Sequence, residues 1–125
     1  MKSKTDPRHL KRIKNIQALF AWGCGNAQPK TINSPKVIEK IAKIDKIIQK
    51  NAPKWPLDKI NKVDLSILRY AFWELIYKKE APPKVIIDEA IELAKEFGND
   101  ASPKFVNGVI GTALKKIDLP DLNHE

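Results

Sequence analysis

Residues 65–79, LSILRYAFWELIYKK, constrain the fold more than any other stretch of this chain. The segment is apolar nearly all round apart from Arg69 and Glu74. A helix without a polar face must be surrounded by other elements, so it belongs at the centre of a bundle. Asp64 stands just before it as a candidate cap.

The neighbouring punctuation supplies the surrounding helices. Thr5 or Asp6 can cap a first helix that has Pro7 at its first position and runs to Trp22, where GCGNAQPKTIN stops it. Ser34 and Pro35 repeat the device for a second helix through about Asn51, with Val37, Ile41, Ile44 and Ile48 on one face. Its lysines, Lys36, Lys40, Lys43 and Lys50, read as a solvated face. APKWP then breaks the chain, and a short turn follows at LDKI.

A further helix starts after Pro83, lined by Ile86, Ala90, Leu93 and Phe97, with Gly98 as a left-handed stop. Its acidic residues, Asp88, Glu89, Glu92 and Glu96, read as solvent-facing. Ser102 and Pro103 open a last helix ending near Ile117. Asn107 there suits a hydrogen bond to nearby backbone, and Gly108 with Gly111 suits the close approach of another helix. No segment alternates as a half-buried strand does. The expectation is an all-α, compact helical bundle in one domain over residues 1–125, with a basic tail at 1–6 and a polar tail, DLPDLNHE, at 118–125.

Chemistry-bearing motifs are sparse. The sequence has no glycine-rich phosphate loop, no HExxH, no paired-cysteine motif and no nucleophile elbow. Ser66 and Ser102 sit at or near helix starts, where capping explains them. His9 and His124 lie near opposite ends, so no metal-ligand spacing exists, and the single Cys24 has no internal disulfide partner. These features exclude the common enzyme classes, call for no cofactor or metal, and fit a reducing cytoplasm. The basic N-terminus interleaves its apolar residues with Lys and Arg, unlike a secretory signal, and no apolar run approaches membrane-spanning length.

Charge is more informative. Lys and Arg outnumber Asp and Glu by 23 to 15, a net charge of +8, which attracts polyanions; nucleic acid is the commonest, with acidic protein and anionic membrane as rivals. At about 100° per residue, Leu10, Ile13, Ile16 and Phe20 gather on one face of the first helix, and Arg8, Lys11 and Arg12 lie opposite with Lys14 at the border. Lys2 and Lys4 extend the charge into the tail. Leu19 and Trp22 fall on or beside the basic side, where a purely solvated face would not need them. Cations beside apolar or aromatic groups suit single-stranded RNA, whose phosphates pair with the cations while unstacked bases lie on rings.

Four segments in order, QALFAW (17–22), KVDLSILRYAFWEL (62–75), PPKVIIDEAIELAKEFG (82–98) and SPKFVNGVIG (102–111), together resemble the NusB family of bacterial transcription antitermination factors. The likeness covers the start of the chain and nearly everything from Asn61 to Leu114; residues 23–60 match mainly in helical character. It implies two packed helical subbundles that bind the single-stranded boxA element of nascent ribosomal RNA together with NusE, the small-subunit ribosomal protein. It assigns RNA contact to Arg8, His9 and Arg12 in the basic N-terminal segment, where Lys4 and Lys11 of the charged face and tail add further RNA-binding candidates, and to Lys104 and Phe105 at the start of the last helix. Phe20 and Asp64 match the family's NusE-facing surface. Monomer and homodimer both stay open. The competing readings are a free-standing relative of the NusB-like targeting domain of ribosomal RNA cytosine methyltransferases, and a protein-interaction module.

Overall fold

The segment marked as central becomes α4, Lys62–Trp73, in a computed structural model that describes residues 6–25 and 33–116. Around it lie α1 (Pro7–Gly23), α2 (Ser34–Glu39), α3 (Ile41–Asn51), α5 (Pro83–Phe97) and α6 (Ser102–Lys115), each packed against α4. A single 3-10 turn, Leu57–Lys59, precedes α4. Leu68 and Phe72 are fully enclosed, and Leu65, Ile67, Tyr70, Ala71, Trp73 and Leu75 are buried with them. Burying each large apolar side chain of this kind contributes about 1.5–3 kcal/mol. The described residues contain no strand, and the fold is all-α as expected.

Local chemistry sets the helix ends, though not always through the expected residue. Asp6 caps α1 by accepting the Arg8 N–H at 2.8 Å, with Pro7 in the first turn. At α4 the cap is Asn61, whose side-chain oxygen accepts the N–H groups of Val63 at 2.8 Å and Asp64 at 3.3 Å. Asp64 therefore lies inside the helix, and it is buried. Beyond Trp73, α4 continues through a π-helical turn, Glu74–Lys78, closed by a bond from the Lys79 N–H to the Glu74 carbonyl at 2.9 Å.

The single helix expected from Ser34 to Asn51 is two. At Lys40 the backbone (φ −106°, ψ 8°) leaves the helical region, and its N–H tightens onto the Val37 carbonyl at 3.0 Å. The bend lets Val37 before it and Ile44 and Ile48 after it all be fully buried. The described part of the last helix ends at Lys115; Ile117 and the 118–125 tail lie outside the described residues, as do Lys2, Lys4 and Thr5.

Gly98 ends α5, but with φ −94° and ψ −166° it is not left-handed. Space is what requires glycine here, because a Cβ would sit 2.5 Å from the Ser102 Cβ and 2.8 Å from the Ala94 carbonyl oxygen. The turn packs this tightly because the Asn99 N–H donates to the Ser102 hydroxyl at 3.0 Å, while the Asn99 side-chain oxygen accepts the Ala101 N–H at 2.9 Å. Ser102 is thus buried as part of the α5–α6 corner and makes no side-chain cap on α6. Gly108 and Gly111, in contrast, have no atom within 4 Å of an added Cβ, so no helix approaches them among the described residues.

The two kinds of glycine predict opposite responses to alanine. Gly98→Ala overpacks the corner and should lower stability by about 1–3 kcal/mol, whereas Gly108→Ala should raise it by about 0.5–1 kcal/mol through helix propensity. Urea unfolding of both variants measures this, and a shift of the same sign in both would contradict the assignment.

Candidate nucleic-acid interface

The first helix meets the bundle through a face that its apolar pattern does not indicate. Its buried residues are His9, Arg12, Asn15, Ile16 and Leu19, a stripe turned about 90° from the Leu10, Ile13, Ile16 and Phe20 face. Leu10 and Phe20, expected inside, are 43% and 39% exposed. Leu19, out of place on a solvated basic side, is fully buried at the centre of the true contact.

Arg12 and His9 turn inward because three carboxylates wait for them. Arg12 donates from Nε to Glu74 Oε1 at 2.7 Å and from Nη2 to Glu74 Oε2 at 3.0 Å, a two-pronged pair joining α1 to the end of α4. Its Nη1 lies 3.5 Å from Glu89 Oε1. His9 meets Glu89 through Nδ1 at 3.0 Å and Glu96 through Nε2 at 3.3 Å, which ties α1 to α5. With a carboxylate at both nitrogens the imidazolium form is favoured. The hydrogen bond to Glu89 raises the His9 pKa above its ordinary 6.5, against the opposing effect of burial and with help from Glu96. The acidic side of α5 is therefore only partly solvated, since Glu89 is buried. Removing one partner of such a buried pair leaves an uncompensated charge, at a cost of about 3–5 kcal/mol.

Other cations stay outside. Arg8 has 76% of its side chain exposed and rests against Asp6, whose carboxyl the Arg8 hydrogen bonds lower to about 2. Lys11 and Lys14 are exposed and make no ion pair among the described residues. A groove of about 440 Å³ runs beside this face, with Arg8, Lys11, Tyr70 and Lys78 among its walls. Trp22 belongs to none of this; Arg69, held by Asp45 at 2.9 Å, lies over its ring at 5.6 Å.

The start of α6 reaches the same end of the molecule. The His9–Glu96 contact sets the first turn of α1 beside the last turn of α5, and α6 begins at Ser102 after the short corner. Lys104 is exposed there, Phe105 is half-buried, and Asn107 is exposed. Phe105 stands edge-to-face with Trp55, an aromatic residue in a loop whose sequence has no periodicity to mark it.

The two residues assigned to a protein partner separate. Phe20 lines a groove of about 370 Å³ with Trp22, Leu57, Ile60, Leu65 and Arg69. Asp64 faces the α6 corner instead, where burial raises its carboxyl and a hydrogen bond with Ser102 partly offsets that shift. Lys4 lies outside the described residues.

The raised His9 pKa sets the sign of a pH dependence. Its contribution to stability is complete below 6.5 and is lost as pH rises through the higher folded-state value. The stability gap between wild type and His9→Gln should therefore be widest just below pH 6.5 and narrow on the alkaline side. Urea midpoints across pH measure it; a gap that widens with pH would contradict the paired imidazolium.

Comparison with known proteins agrees with this architecture. Residues 35–115 match the model of the NusB family. Transcription antitermination proteins NusB from Treponema denticola and Alkaliphilus oremlandii are 41% and 50% identical, over 87% and 89% of this chain and 96% and 85% of theirs. The solved structure of T. maritima NusB superposes with a TM-score of 0.75 at 31% identity, over 93% of this chain and 94% of that one. A second structure, described as that of a plectonemic RNA supercoil, shares the fold with a TM-score of 0.78 at 23% identity, over 89% of this chain and 96% of that one. Among the described residues no helix is long and apolar enough to cross a membrane. The chain belongs to the NusB family of transcription antitermination proteins, regulators rather than enzymes.

Proposed function

We propose that this protein binds boxA-like single-stranded RNA together with NusE during ribosomal RNA transcription in the cytoplasm. The supporting observation is the division of labour on α1. Its inner cations, His9 and Arg12, are committed to Glu74, Glu89 and Glu96, while Arg8, Lys11 and Lys14 remain exposed on the outside. The inner pairs also mask carboxylates that would otherwise repel phosphates.

In this reading Arg8 and Lys11 grip the RNA backbone, Lys104 takes a further phosphate, and Phe105 offers a ring to a base. Arg8 can do so because its surface pair with Asp6 is worth little and is readily exchanged. Lys4 adds charge from the tail. His9 and Arg12 act through position, by fixing the helix that carries the outer cations. NusE docks at the groove beside Phe20, while buried Asp64 supports the α6 corner, away from that groove.

Titration with boxA-like RNA across salt concentrations tests the reading. With about five phosphates neutralised, log K should fall against log salt with a slope of roughly −3 to −4. The double variant Arg8→Ala, Lys11→Ala should bind more weakly and flatten that slope by about 1.4. Salt-independent affinity, or a slope the double variant leaves unchanged, would overturn it.

A further inference from the structure

Trp55 is 52% exposed, more than any other large apolar side chain among the described residues. The loop beneath it is well fixed. The Gln49 side chain donates to the Trp55 carbonyl at 2.8 Å and accepts the Leu57 N–H at 3.0 Å, so one amide spans the turn. The Trp55 N–H closes onto the Ala52 carbonyl at 3.0 Å, and Pro53 and Pro56 stiffen the segment on either side. A backbone this constrained holds its ring outward at small entropic cost to a ligand.

The ring has an aromatic neighbour on another element. The centroids of Trp55 and Phe105 are 6.5 Å apart with their planes at 81°. In an edge-to-face pair the edge-on ring keeps both faces clear of its partner and the face-on ring keeps one, so the pair offers surfaces on which a flat group can stack. Lys54 and Lys104, next in sequence to the two rings, are exposed and make no ion pair among the described residues. Two rings flanked by two uncommitted cations match a nucleotide, which presents a planar base and an anionic phosphate together. An acidic protein would use the lysines but not the faces.

We propose that Trp55 is a stacking residue for an unpaired base, extending the RNA track from Arg8 and Lys11 past Lys104 and Phe105 onto the α3–α4 connection. The inference rests on the RNA-binding reading and adds a contact to it. α3 packs against α6, and the Trp55–Phe105 ring pair brings the α3–α4 connection against the start of α6.

The test uses the full chain and a single-stranded oligoribonucleotide of about 12 nucleotides. Trp55→Leu should weaken binding by about 5- to 100-fold, and Trp55→Phe should recover most of it. Stacking neutralises no phosphate, so the salt slope of Trp55→Leu should equal that of wild type, a result that distinguishes it from the Arg8 and Lys11 variants. RNA in which bases are replaced by abasic sites keeps its phosphates, and against it Trp55→Leu and wild type should bind alike. Equal urea midpoints for Trp55→Leu and wild type show that the fold is intact.

If wild type binds RNA with the expected salt slope and Trp55→Leu binds equally well, this inference fails and the functional reading stands. If wild type shows no salt-dependent RNA binding, both fail. Loss of a protein partner with RNA affinity unchanged would also overturn the stacking role.

Discussion

The contact between Arg12 and Glu74 fixes how the first helix sits, and the rest of the surface follows from that placement. A guanidinium and a carboxylate meeting through two hydrogen bonds accept little rotation or sliding. His9 supplies the second anchor, between Glu89 and Glu96. Together these contacts pin α1 to both α4 and α5, and Leu19 fills the apolar space between the helices. With that face turned inward, Arg8, Lys11 and Lys14 face outward.

The arrangement also makes electrostatic sense. Glu74, Glu89 and Glu96 bring three carboxylates together beneath a surface read as a phosphate-binding one; Arg12 offsets one of them, and His9, whose pKa the Glu89 hydrogen bond raises, offsets a second when protonated. Burial of ions is costly, and a hydrophobic substitute of equal volume can be as stable. What the ion pairs add is orientation, because the two-pronged Arg12–Glu74 contact and the His9 contacts with Glu89 and Glu96 fit one rotation of α1. The cluster thus links the fold of α1 to the charge pattern that its outer surface presents.

Much of the fold was legible in residue order. The apolar length of 65–79 requires a central helix, and Asp6–Pro7 and Ser102–Pro103 mark helix starts to within a residue of those observed. The rotation of α1 was not, because partners separated by 62 and 80 residues leave no local periodicity. Two clues were present nonetheless. Leu19 fell on the wrong side of the expected pattern, and Glu74 interrupted a segment otherwise fit only for burial, which implies a buried cation somewhere. Glu89 likewise shares the Ile86–Ala90–Leu93 face. Gly98 was assigned to the right turn for the wrong reason, since contact with Ser102 and Ala94 excludes a side chain there. Trp55 escaped notice because a loop residue has no pattern to violate; its neighbour Phe105 is visible only in three dimensions.

One measurement separates the inner cations, which orient the helix, from the outer cations, proposed to meet the ligand. Replacing Arg12 and Glu74 together by methionine removes the pair without stranding either charge, and the salt dependence of RNA binding can then be compared with wild type. His9, still held by Glu89 and Glu96, and buried Leu19 keep α1 in its rotation in this variant, so if Arg12 does not itself meet the RNA the slope stays at the wild-type value whatever happens to absolute affinity. A slope flattened by about 0.7, the share of one phosphate on a single strand, would show Arg12 meeting the RNA itself and contradict the account.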